Sequence, residues 1–470
     1  MNVGTFVIRA AVGTTVIALT AAPAAAGPSD QPVVVHVGRI DKQDIASASH
    51  CEPDTLAEPD VAVSPTDPNI AVAVAHDCRL PTAGAVGISY AWTHDGGQNW
   101  QHAPLPGITQ AAGGVWARAS DPVVAFGPDG SVYISVLDIS SGCRTAVSVS
   151  RSTDGGVTFG APVLAQRNKT CRHGDDKNFL IVDNGRHSPY RGRLYQFWAQ
   201  FSGVSIGFGD RQVVRWSDDQ GQTWSHTVAL TPRGIVTINS QPVVKPDGSI
   251  VDTYLNFGTS GGEEGRASRV GADTSMLAAG PPALRIGARV SHDGGLTWSA
   301  ESTVTRRAGV GPAGIRCCLP SATADPRTGR LYATWIRPDA GAVMLSTSTG
   351  GRRWSTPLRV TSSSPGYDYV NVDVAAYGGE VLVSTGLHRG RFVQQEVLSS
   401  AGRSSFSAPV ALGPRSNLKY AAEAGGKFPG DYIGTAATHG RSYAVWCRSS
   451  KPSDPNAKYH QVLWGATLRI

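Results

Sequence analysis

No stretch of this 470-residue chain carries the long amphipathic periodicity of a helical protein, and charged residues make up only 17% of it. Dense basic blocks are also missing. The 42 Lys and Arg exceed the 36 Asp and Glu by a surplus spread along the chain, which argues against a nucleic-acid partner. No CxxC pair and no His/Cys cluster has ligand spacing, so neither a metal nor another cofactor is expected. Beyond the N-terminus no apolar run reaches the ~20 residues of a bilayer span. Gly and aromatic residues are plentiful instead, with 55 Gly, 30 Pro, 11 Trp and 13 Tyr. That mixture favours many short strands joined by turns, and an all-β chain is expected.

The N-terminus has the physics of a secretory leader over residues 1–26. Arg9 precedes the apolar stretch Ala10 to Ala22, and Ala24, Ala25 and Ala26 form a small-residue cleavage site. A retained anchor is the alternative, but the apolar run is short for one. Seven cysteines suit an oxidising compartment. Proximity suggests Cys51 with Cys78 and Cys143 with Cys171. Cys317 and Cys318 are adjacent, so they bridge each other or one reaches Cys447, and the odd count leaves at least one thiol unpaired.

One octet recurs. SDDQGQTW (217–224) fits Ser-x-Asp-x-Gly-x-Thr-Trp, with Asp219 at its centre, and the octets holding Asp95, Asp154 and Asp293 follow it closely. Two eroded copies end at Trp354 and Phe406. Between antiparallel strands the Asp carboxylate can accept turn N–H groups, Gly takes positive φ, and the aromatic enters the next strand and packs inward. These aspartates therefore read as structural clips. Calcium binding or catalysis by them is the lesser reading, because several eroding copies of one catalytic group would be odd.

Upstream of each clip lie two further strands and a turn, such as GPDGS (127–131), KPDGS (245–249) and ATHGR (437–441), seven such turns in all. Each unit is then four strands, one propeller blade. The last unit ends at its third strand, HQVLWGATL (460–468), and PVVVHV (32–37) stands free to supply the fourth and close the ring. The expectation is a seven-bladed β-propeller of four-stranded antiparallel blades over residues 27–470, with six blades as the alternative.

The clip is similar to the Asp-box, or BNR repeat, and the chain resembles the sialidase-like superfamily over roughly residues 50–450. RASDPVVAFGPDGSVYIS (118–135) and GDYIG (430–434) look like phrases of secreted bacterial members. The resemblance implies three arginines clamping a sugar carboxylate, a Tyr nucleophile activated by Glu, and an Asp acid/base. Arg118 to Pro122 match the family's Arg-Ile-Pro only loosely. Asp138 falls near the acid/base position, in what reads as a loop between second and third strands. Ser240 stands where the Glu belongs, and no Arg follows at Tyr254 to Phe257.

In a propeller the inner strands open on one mouth. Their starts hold Glu58 and Asp60, Arg118 and Asp121, Asp176 and Lys177, Asn239 and Gln241, Arg316, Tyr369 and Asn371, and Asp431 and Tyr432. Asp121, Asp431 and Glu58 are candidate acids and bases, with Tyr432 the nucleophile if the sialidase scheme applies. Arg118, Lys177 and Arg316 are candidates for an anionic substituent, with Gln241 and Asn371 beside them. A channel of mutually bonded side chains and water is the structural alternative. The expected function is a secreted, monomeric glycoside hydrolase acting on an extracellular glycan, acidic sugars included. A non-catalytic carbohydrate- or protein-binding propeller is the alternative, and a polysaccharide lyase comes third.

Overall fold

The computed structural model describes residue 1 and residues 31–45, 51–202, 210–259, 284–309, 311–337, 339, 341–362, 366–401 and 405–469. The expected leader lies outside them apart from Met1, as do residues 402–404 of the last eroded octet. Among the described residues the secondary structure is strand, with short 3-10 turns at Gln110–Ala112 and Leu418–Tyr420. No described helix is long and apolar enough to cross a membrane.

Most strands assemble in antiparallel groups of four in chain order; Val33–Arg39 joins the last group out of order, Ser416–Asn417 adds a fifth strand to one group, and Ala422–Glu423 and Lys427–Phe428 pair apart. Two groups, led by Leu56–Val63 and Arg118–Phe126, join into one eight-stranded sheet through the single pairing of Ala85 with Ala119. The other leading strands are His173–Val182, Ile235–Val244, Ser321–Ala324, Asp368–Tyr377 and Gly434–Thr438. In the group led by Gly434–Thr438 the outer strand is Val33–Arg39, paired antiparallel with the C-terminal strand Gln461–Arg469. Each leading strand packs against the next, and Gly434–Thr438 packs against Leu56–Val63.

Burial follows from this stacking. A middle strand has a neighbouring sheet over each face, so Ala71–Arg79 is buried at every position. Val33–Arg39, at an edge, alternates between exposed and half-buried. The core lies between successive groups: Val72, Val74 and Ile88 meet Phe126, Ile134 and Val136, and Leu56 and Ala73 meet Val445 and Leu463 from the far end of the chain. Each Val, Leu, Ile or Phe among them contributes roughly 1.5–3 kcal/mol by leaving water.

The recurrent octets form compact hydrogen-bonded turns. In the copy at 217–224 the Ser217 hydroxyl donates to Asp219 Oδ1 at 2.7 Å, and the Thr223 N–H and hydroxyl donate to its two oxygens at 2.8 and 2.6 Å. The Gly221 N–H donates to Ser217 Oγ, and the Trp224 indole N–H donates to the Gly221 carbonyl at 3.1 Å. Trp298 and Trp354 repeat that last bond on Gly295 and Gly351. Asp219 is held down at about 2, chiefly by the Thr223 hydroxyl and amide.

Disulfides join Cys51 to Cys78, Cys143 to Cys171 and Cys317 to Cys318, leaving Cys447 a free, buried thiol. Of the two arrangements open to the last three cysteines, the chain adopts the vicinal bridge. Cys447 sits mid-strand in Arg441–Ser449, packed among Leu56, Val61 and Leu463.

Candidate functional site

The leading strands share a backbone irregularity that builds the site. Glu58, Asp121, Lys177, Asn239 and Asn371 have φ between 46 and 61°, Cys318 has 91° and Gly430 has 106°. Non-glycine residues avoid this region because Cβ crowds the following carbonyl, at roughly 1–2 kcal/mol per residue. Each of the first five coincides with a break in strand register, for example between Ala57 and Asp60 and between Ser120 and Val123. A bulge re-aims one side chain out of the strand's alternation. Strain of this kind persists where surrounding bonds over-determine it.

Those bonds run between the groups of strands. The Asp121 N–H donates to His76 Nε2 at 3.1 Å. Asn239 Nδ2 donates to the Pro320 carbonyl at 2.8 Å. Asn371 accepts from the Cys318 N–H at Oδ1 and donates from Nδ2 to the Gly430 carbonyl. Cys318 and Leu319 both donate backbone N–H bonds to the Asp431 carbonyl at 3.0 Å. Asn371 is thus a clamp between strands, and Gln241 is bonded to Asn239 at 3.3 Å.

Within this frame three carboxylates and two cations meet. Arg316 forms a fork on Asp431, with Nε to Oδ1 at 3.3 Å and an NH2 group to Oδ2 at 2.9 Å, and its guanidinium lies over the Phe428 ring. Lys177 Nζ is 3.8 Å from Asp121 Oδ1 and 3.6 Å from the Tyr432 ring centroid, with its side chain only 4% exposed. Glu58 Oε2 is 3.1 Å from His76 Nε2, both side chains buried.

Burial decides the protonation of this cluster. It raises Glu58 well above the usual carboxylate range, and the charges of Asp121 and Asp431 add to the effect. Burial likewise raises Asp121 against the pull of Lys177, and lifts Asp176 to about 7 and Asp60 to about 6. His76 is pushed down to about 3, first by burial and then by nearby cations. Its Nε2 accepts the Asp121 N–H with its one lone pair, which fits a neutral imidazole, and Glu58 Oε2 lies beside that nitrogen. Burial, then Glu58, pushes the Tyr432 phenol well above its ordinary value, and its hydroxyl is 3.4 Å from the Pro122 carbonyl.

Two candidates lie elsewhere. Asp138 is not in a loop but inside strand Val132–Ile139, paired with Ala119 and Ala146 and fully buried. The strand runs longer than its turn signals suggest, and burial raises this carboxyl to about 8. Arg118 bonds the Thr82 hydroxyl and Ala83 carbonyl at a strand end, where no carboxylate of the cluster is its partner. His76 was missed by the sequence reading because it sits on the second strand of its group and reaches Glu58 and Asp121 only through the pleat. Below the cluster a cavity of ≈550 Å³ follows the leading strands from Asp60 and Gln241 to Arg186, Arg327 and Tyr377.

The fold is shared with solved structures at low sequence identity. No protein-family model matches the chain, and no curated protein does. Among solved structures, the α-L-arabinanase of Penicillium chrysogenum, complexed with arabinobiose, aligns over 75% of this chain and 94% of its own at 13% identity and a TM-score of 0.50. An ulvan lyase of polysaccharide lyase family PL25 aligns over 88% of this chain and 94% of its own, at 13% identity and a TM-score of 0.52. A leech intramolecular trans-sialidase aligns at 12% identity over 76% of this chain and 70% of its own, with a TM-score of 0.46. Likeness at this level concerns the fold and not the reaction.

Proposed function

We propose that residues 27–470 form one exported seven-bladed propeller that hydrolyses a glycosidic bond in an extracellular, neutral glycan. The blade count rests on seven leading strands, each with its four-stranded group, and on the Val33–Arg39 strand completing the last. Export is supported by the three disulfides. The observation that carries the reaction is the buried cluster itself, in which Glu58, raised by burial, stands with two further carboxylates, Asp121 paired to Lys177 and Asp431 paired to Arg316. A carboxyl of raised proton affinity beside a second carboxylate is the pair that acid-assisted glycoside hydrolysis uses.

In this reading Glu58 gives its proton to the leaving oxygen. Asp121, kept in reach of the Lys177 ammonium, takes a proton from the attacking water, and Asp431, oriented by Arg316, faces the positive charge developing on the sugar ring. Tyr432 serves as a ring under Lys177, because a phenol with raised proton affinity is a poor nucleophile. The charge balance favours a neutral sugar over an acidic one. Arg316 is committed to Asp431 and Lys177 to Asp121, so neither of these two cations is left over for a sugar carboxylate.

The test is turnover of a panel of neutral glycosides, sialosides and uronides by purified protein, beside Glu58→Gln and Asp121→Asn. Neutral substrates are expected to turn over, with kcat reduced about 10²- to 10⁴-fold in either variant. Wild-type kcat should fall as pH rises through the elevated Glu58 range, and Glu58→Gln should lose that limb. Glycan binding without turnover would favour a binding module, and an unsaturated product would favour a lyase.

A further inference from the structure

We propose that Asp41, Asp44 and His102 bind one divalent transition cation of the zinc class, outside the carboxylate cluster. Asp41 and Asp44 belong to the segment that follows Val33–Arg39, and His102 to the outer strand Gln101–Pro104 of the first group. His102 Nδ1 is 2.6 Å from Asp44 Oδ2 and 3.4 Å from Asp41 Oδ1. One ring nitrogen carries at most one proton, so two converging carboxylates are not both satisfied by it.

The buried oxygens around this point are the second observation. The Asp41 side chain is fully buried and its Oδ2 has no hydrogen-bond partner. Asp77, also fully buried, gives Oδ2 to the Asp44 and Ile45 N–H groups and the Ser89 hydroxyl, while its Oδ1 has no partner. Arg39 uses its Nε on the Asp41 backbone carbonyl at 3.0 Å. Buried carboxylate oxygens without a donor are costly, and a cation removes the cost.

One potential ligand atom from each residue lies within 4.8 Å of the others. One imidazole nitrogen with two carboxylate oxygens suits zinc and its neighbours better than calcium, which takes oxygen ligands at higher number. Three protein ligands leave a fourth position for water, and His102 at 25% and Asp44 at 14% exposure open the site to solvent. Asp77 holds the loop by its backbone amides, as an outer partner would. The cation would tie the segment after the outer strand of the last group to the first group, adding to closure of the molecule.

The experiment uses full-length protein stripped with chelator, titrated calorimetrically with ZnCl2 and with CaCl2, with Tm followed in parallel. One equivalent of Zn2+ should bind and raise Tm, Ca2+ should bind at least tenfold more weakly, and Asp44→Asn and His102→Gln should each abolish the Zn2+ effect. Diethylpyrocarbonate labelling of wild-type protein, read by mass spectrometry, should show His102 protected by Zn2+, which keeps the test valid if a variant folds poorly. Absence of stoichiometric Zn2+ uptake, or His102 labelling unchanged by Zn2+, overturns the site. Binding of Ca2+ that survives His102→Gln overturns it equally.

Discussion

At the residue scale the cluster is a set of buried charges whose net stability depends on each retaining its partner. The Lys177 ammonium touches Asp121 and the Tyr432 face but its Nζ has no hydrogen-bond partner. It therefore acts as a point charge, and its loss leaves Asp121 among Glu58 and Asp431 with only Ser120 and the charge of Arg316 to offset them. Removing one partner of a buried pair costs about 3–5 kcal/mol, whereas replacing both can be nearly neutral. Lys177→Met should lower unfolding free energy by about that amount, and Lys177→Met with Asp121→Asn should recover much of it. Urea denaturation of the two single variants and the double variant measures the coupling. Losses that simply add would mean that the pair is not coupled.

At the element scale the recurrent turn makes a graded prediction, because copies of one motif sit in different surroundings. Gly221 and Gly351 both need positive φ, at 89 and 73°. A Cβ at Gly221 would meet Leu194 at an ordinary 3.7 Å, whereas one at Gly351 would lie 2.8 Å from Val251 and 2.9 Å from Val290. Gly221→Ala should cost the conformational term alone, roughly 1–2 kcal/mol, and Gly351→Ala that term plus overpacking of about 1–3 kcal/mol. Thermal unfolding of both variants checks the order, and equal losses would show that the tight contact relaxes freely. These elements were legible from sequence because their physics is local: an Asp, a Gly and an aromatic at fixed spacing, between runs of alternating strand residues. Antiparallel four-stranded groups follow from the same short-range pattern. The site was legible only as a ring of polar positions. Which of them meet depends on bulges and on pairing across the sheet, so His76 was missed and Asp138 was placed in a loop. The Asp41, Asp44 and His102 cluster escaped spacing rules because Asp41 and Asp44 follow Val33–Arg39 while His102 lies in Gln101–Pro104, and they gather only when the groups stack.

At the scale of the whole molecule the buried acids set how stability varies with pH. Burial raises Asp138 and Asp252 to about 8, Asp175, Asp176 and Asp373 to about 7, and Asp60 and Asp77 to about 6. In the unfolded chain these groups titrate near 4. Between about pH 4 and pH 8 the native state therefore holds protons that the unfolded state has released, and stability falls as pH rises through that window. The turn aspartates act in the opposite sense. Asp95, Asp154 and Asp219 are lowered to about 2 by hydrogen bonds that outweigh any desolvation. Their contribution is present above about pH 4 and is lost as pH falls toward 2. Together the two sets place maximal stability in mildly acidic solution, on the order of pH 4 to 6. Asp138 isolates one component, since both of its oxygens are buried without hydrogen-bond partners and it lies outside the carboxylate cluster. Asp138→Asn should leave Tm near the wild-type value at pH 5 and raise it at pH 8.5, flattening the decline between them. Scanning calorimetry of both proteins across that range decides the matter: a wild-type Tm that rises from pH 5 to pH 8.5, or a variant with an undiminished slope, would mean that these carboxyls reach water or an unseen cation in the native state.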